Sequence, residues 1–93
     1  MLIGVPKDIK THEYRVGLVP FSVAELVRNG HEVWVESHAG QGIGVENADY
    51  EKAGARIKGT AQELFKSCEM IVKVKEPQLS ECQQLHKNQI LFI

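Results

Sequence analysis

Apolar positions along the chain fall into short runs that switch between a period of two and a helical period. Leu2-Ile3-Gly4-Val5 is an apolar run of strand type, stopped by Pro6, which has no amide to continue a ladder. Residues 7–15 are polar without apolar periodicity and predict a loop, the kind of segment on which function concentrates. Val23, Leu26 and Val27 follow helical spacing, with Ser22 as the expected cap and Asn29-Gly30 as the stop. Glu32–Glu36 (EVWVE) alternates polar and apolar residues and predicts a second strand, ended by the glycine-rich loop 40–44.

Further along, a short helix is predicted over 49–53, closed by Gly54, with a brief strand over 55–57 before Gly59. Thr60 and Glu63 form a T-x-x-E capping box ahead of Leu64 and Phe65, which share a helical face with Ala61. A strand over 70–74 follows. Pro77 turns the chain, Ser80 and Gln83 offer another capping box, and Leu79, Cys82 and Leu85 are expected to face inward. The run Ile90-Leu91-Phe92-Ile93 predicts a fifth, buried strand. Strands separated by single helices are the signature of βαβ units. The expected class is α/β, a parallel sheet with helices on both faces, flavodoxin-like or Rossmann-like. No repeat or linker divides the chain. Ending on four apolar residues with nothing to cover them, the sheet reads as incomplete and the polypeptide is expected to continue.

Composition adds mainly exclusions. At 93 residues, 43% hydrophobic and 25% charged, the chain is long enough for one small domain and too apolar for intrinsic disorder. Eleven Lys and Arg against twelve Asp and Glu give a net charge of −1, without the basic field that nucleic acid or an anionic membrane requires. No apolar run approaches the roughly 20 residues of a membrane-spanning helix, and Lys7 and Asp8 interrupt any signal-peptide core. Cys68 and Cys82 match no metal-knuckle spacing and are too few for a disulfide scaffold, so both are expected as reduced thiols in a cytoplasmic protein.

Candidate chemistry is confined to a few residues. Lys73 and Lys75 would share one face of the predicted strand over 70–74 and its continuation, at the C-terminal edge where open α/β sheets bind ligands. Two ammonium groups there point to an anion or a polarisable carbonyl; the alternative is a strand that frays early, with both lysines reaching water. Arg15 follows the first strand on the equivalent edge, and its planar fork matches a carboxylate; the alternative is an ion pair with Glu13 or another surface acid. The loop Gly40-Gln41-Gly42-Ile43-Gly44 lacks a small residue at Val45 and an immediate helix, so it fits positive-φ turn geometry better than a dinucleotide fingerprint. No G-K-[ST] phosphate loop occurs. His12, His31, His38 and His86 have no metal-type spacing, and no nucleophilic triad can be assembled. His12 lies near the Arg15 loop and could titrate beside an anion, or simply be exposed.

Taken together, Ile3-Gly4-Val5-Pro6-Lys7-Asp8, Glu13-Tyr14-Arg15-Val16 with Pro20, Gly30-His31-Glu32-Val33, Ala39-Gly40-Gln41-Gly42 and Val72-Lys73-Val74-Lys75-Glu76-Pro77 resemble the N-terminal segment of alanine dehydrogenase. The near relative is the α subunit of proton-translocating nicotinamide nucleotide transhydrogenase, and Glu13-Tyr14-Arg15 with Lys75-Glu76-Pro77 lean towards the former. The resemblance implies oxidative deamination of L-alanine with NAD to pyruvate and ammonium. It implies that Arg15 holds the substrate carboxylate and that Lys75 contacts the oxygen or nitrogen on C2. It assigns Lys73 no role beyond supporting the site or facing solvent.

The same resemblance implies that residues 1–93 are the N-terminal part of the substrate-binding domain. The acid-base histidine would lie beyond Ile93, and the NAD-binding Rossmann domain would be absent from this chain. The parent would be a homo-oligomer, commonly a hexamer, while the 93 residues alone would be inactive. Two other readings remain open: a transhydrogenase α-subunit fragment, and a non-catalytic module that binds a carboxylate metabolite.

Overall fold

A computed structural model describes residues 1–93. Five strands, β1 (Leu2–Val5), β2 (Glu32–Glu36), β3 (Arg56–Lys58), β4 (Met70–Val72) and β5 (Ile90–Phe92), form one parallel sheet in the order β3-β2-β1-β4-β5. Of the two doubly wound arrangements expected, this is the Rossmann order. Helices α1 (Pro20–Arg28), α2 (Asn47–Lys52), α3 (Ala61–Ser67) and α4 (Leu79–Cys82) fill the connections, with a 3-10 turn at Gln41–Ile43.

Strand alternation divides the apolar residues between two layers. Ile3, Val5, Val33 and Val35 point to the face covered by α1 and α2, where Val23 and Tyr50 are fully buried. Leu2, Trp34, Ile71 and Leu91 point to the other face, against Leu64, Phe65 and Cys68 of α3 and its cap. The second layer sits tightly, because a Cβ on Gly4 would lie 2.7 Å from Cys68 Sγ. Tyr50 donates its hydroxyl to the Leu18 carbonyl at 2.7 Å, tying α2 to the long loop after β1.

Several boundaries differ from the sequence expectation, each for a local reason. Helix α1 begins at Pro20, whose missing N–H and preset φ suit the first helical position, so Ser22 is not its cap. Helix α2 begins two residues early, because the Asp49 carboxylate accepts the Glu46 N–H at 2.9 Å and fixes the start. The same device, Glu81 Oε1 accepting the Gln78 N–H at 2.8 Å, starts α4 and replaces the expected Ser80/Gln83 box. That shift leaves Leu79 78% exposed and Cys82 on the surface, so neither faces inward. Strand β4 stops at Val72, and β5 is an edge strand whose Ile90 and Phe92 are exposed rather than buried. No helix is long and apolar enough to cross a membrane.

Candidate functional site

Because β1 lies between β2 and β4, the winding reverses beside it, and the loops that follow β1 and β2 meet at the C-terminal edge of the sheet. A cleft of about 350 Å3 lies at this edge, lined by Lys7, Asp8, Glu13, Tyr14, Arg15, Ala39, Gln41 and Gly42. The glycine loop forms one wall by close backbone approach: a Cβ on Gly42 would stand 2.3 Å from the Tyr14 carbonyl oxygen. Of the three glycines expected to need positive φ, only Gly44 has it, at 78°. Gly40 and Gly42 are contact-limited instead.

Arg15 lines this cleft and is also in the ion pair offered above as the alternative. Its Nε donates to Glu13 Oε2 at 3.1 Å and its Nη2 to Oε1 at 3.0 Å, while its backbone N–H donates to Oε2 at 2.8 Å. Two of the five N–H donors of the guanidinium are thereby used, and the Nη1 side has no protein partner. The Arg15 bonds hold the Glu13 carboxyl below the usual carboxylate range, with a smaller contribution in the same direction from the charge of Lys75. Glu13 in turn raises Arg15. Arg15 is the side chain that grips this carboxylate, and Lys75 does not line the cleft.

Lys73 and Lys75 part ways. With β4 ended at Val72, strand alternation no longer governs them, and the expected pair of ammonium groups on one face does not form. Lys73 neither reaches water nor lines the cleft: its side chain is 1% exposed, with Nζ 2.9 Å from Asp8 Oδ1 and 3.0 Å from Glu81 Oε2. Lys75 is half-buried, and its backbone N–H donates to Asp8 Oδ1 at 3.2 Å. An exposed ion pair between Lys10 and Glu76 straps the loop after β1 to the loop after β4.

His12 is exposed at φ 64°, with its ring Nδ1 3.5 Å from the Tyr14 hydroxyl, and does not line the cleft. No group of three or more His, Cys, Asp or Glu is placed to hold a metal ion. Cys68 is fully buried and its thiol is pushed up to about 12, which makes it inert. Sequence reasoning missed Asp8 and Glu81. The available signal was positional: Asp8 just past β1 and Lys73 just past β4 project from neighbouring parallel strands.

These residues do not fit a dinucleotide. The β1–α1 connection has no glycine-rich turn opening directly into a helix, and α1 starts only at Pro20. The cleft beyond β1 is lined by the acidic residues Asp8 and Glu13, a lining ill-suited to a pyrophosphate.

The family model described as "Alanine dehydrogenase/PNT, N-terminal domain" matches residues 4–93. The alanine dehydrogenase of Halomonas elongata is 50% identical over 92 residues, covering 99% of this chain and 25% of the relative. That of Bacillus subtilis is 48% identical, covering 99% of this chain and 24% of the relative. A solved L-alanine dehydrogenase superposes with a TM-score of 0.95 at 49% identity, over 98% of this chain and 25% of that one. A transhydrogenase from Sinorhizobium meliloti superposes at 0.91 and 33% identity, over 98% of this chain and 27% of that one. The chain thus spans about a quarter of the length of the curated relatives it matches. With a match running through nearly the whole sheet, the chain belongs to the alanine dehydrogenase/PNT N-terminal domain family.

Proposed function

We propose that these residues form the N-terminal part of the substrate-binding domain of an NAD-dependent alanine dehydrogenase, which converts L-alanine, NAD and water to pyruvate, ammonium and NADH. The observation that carries the reading is Glu13, a carboxylate already gripped by the Arg15 fork in the wall of the cleft. A site that holds one carboxylate in this way can hold a second on the free side of the same guanidinium. In this reading Arg15 binds the substrate carboxylate and Lys75 approaches the group on C2. The ammonium stabilises negative charge developing on the C2 oxygen as ammonia adds to the carbonyl or leaves the carbinolamine.

The acid-base histidine, the NAD-binding domain and its cofactor belong to the remainder of the polypeptide. The 93 residues alone contribute binding groups and no turnover. The complete protein is read as a cytoplasmic homo-oligomer, hexameric by family resemblance, acting on a small molecule and on neither nucleic acid nor membrane. The likeness to the Sinorhizobium meliloti transhydrogenase keeps a second reading, an α-subunit fragment supporting hydride transfer between nucleotides. The two are separated by supplying the complete protein with NAD and L-alanine. NADH formation that depends on L-alanine supports the dehydrogenase; hydride exchange between two nucleotides with no response to L-alanine overturns it.

A further inference from the structure

Asp8 and Lys73 each have side chains 1% exposed, and no step above uses either of them. A buried carboxylate is tolerated only when its lone pairs are occupied. Asp8 spends them on three donors: Lys73 Nζ at 2.9 Å and the Lys75 N–H at 3.2 Å on Oδ1, and the Val74 N–H at 3.3 Å on Oδ2. Residues 74 and 75 lie outside every strand and helix, and their amides have no other partner. The segment carrying Lys75 is therefore pinned by Asp8 and not by the sheet. Lys73 balances the Asp8 charge and is itself held by Glu81 Oε2 at 3.0 Å, at the start of α4.

We infer that Asp8 is a positioning residue: its buried carboxylate, clamped by Lys73, fixes the backbone of Val74 and Lys75 and so sets where the Lys75 ammonium meets the substrate. The choice of substrate rests on the alanine dehydrogenase reading; the anchoring geometry does not. Asp8→Asn is the informative change, because it keeps the shape, turns one acceptor into a donor, and leaves Lys73 paired with Glu81. The experiment uses the complete protein as wild type, D8N, D8E and F65L. It measures reductive amination of pyruvate together with hydrogen exchange at the amides of residues 74 and 75.

D8N is expected to lower kcat for pyruvate amination about tenfold while the KM for NADH stays within about twofold, and to speed exchange at both amides about tenfold. D8E brings both back to within about threefold, since it restores the two acceptor oxygens. F65L, which loosens the opposite core layer, moves neither. A wild-type kcat for pyruvate amination in D8N, a parallel rise in the NADH KM, or no recovery in D8E overturns the inference. Should D8N not fold, wild-type exchange decides: protected amides at 74 and 75 support the anchor, and free exchange there refutes it. A wild type that does not aminate pyruvate refutes the enzyme reading instead, and the exchange comparison still decides for or against Asp8.

Discussion

A carboxylate is held beside this cleft in two ways, and Glu13 and Glu36 use one each. Glu13 is ion-paired and its carboxyl is lowered by Arg15, so it contributes stability above the ordinary carboxylate range that is lost as pH falls through its lowered value. Glu36 accepts the Lys7 N–H at 2.7 Å, yet burial dominates and raises its carboxyl from 4.5. A raised carboxyl keeps its proton longer in the folded state, so its contribution falls as pH rises from 4.5 through the raised value. Glu36→Gln keeps an oxygen for Lys7 and removes the buried charge. Its thermal midpoint in the complete protein should exceed that of wild type at pH 7, with the gap closing towards pH 4; a lower midpoint at pH 7 contradicts this. Arg15 was legible because an arginine entering an apolar rim is conspicuous. Asp8 was not, because its partner Lys73 lies 65 positions away and nothing local marks the pair.

At the scale of elements, the cleft depends on loops that touch through their backbones. Gly42→Ala would place a Cβ 2.3 Å from the Tyr14 carbonyl, forcing the glycine loop away from the segment that carries Arg15. Such overpacking costs about 1–3 kcal/mol, and here the displaced segment bears Arg15. The variant should lose stability by that amount in thermal unfolding and bind pyruvate more weakly; unchanged stability and pyruvate KM would show the loop to be compliant. All five strands and their helical partners were legible from apolar periodicity. Helix starts were less so, since Glu46 with Asp49 and Gln78 with Glu81 perform capping that short Ser, Thr, Asn and Asp more commonly do. The inward reading of Leu79 failed with that register: with Gln78 as the cap, Leu79 opens α4 and turns to solvent.

At the scale of the whole molecule, strand order explains why distant residues meet. Pairing β1 with both β2 and β4 brings Asp8 against Lys73, Val74 and Lys75, although 65 to 67 positions separate them in the chain. The class of fold could be read from alternation, but the order β3-β2-β1-β4-β5 could not, because it is set by packing between elements and not by any one run. The central claim is that this edge supplies both substrate grips of a dehydrogenase site. Its most direct test is steady-state reductive amination of pyruvate by the complete protein as wild type, Arg15→Met and Lys75→Met. Arg15→Met should raise the KM for pyruvate about tenfold to hundredfold, and Lys75→Met should lower kcat at least about hundredfold. Wild-type constants for pyruvate in both variants would contradict the claim.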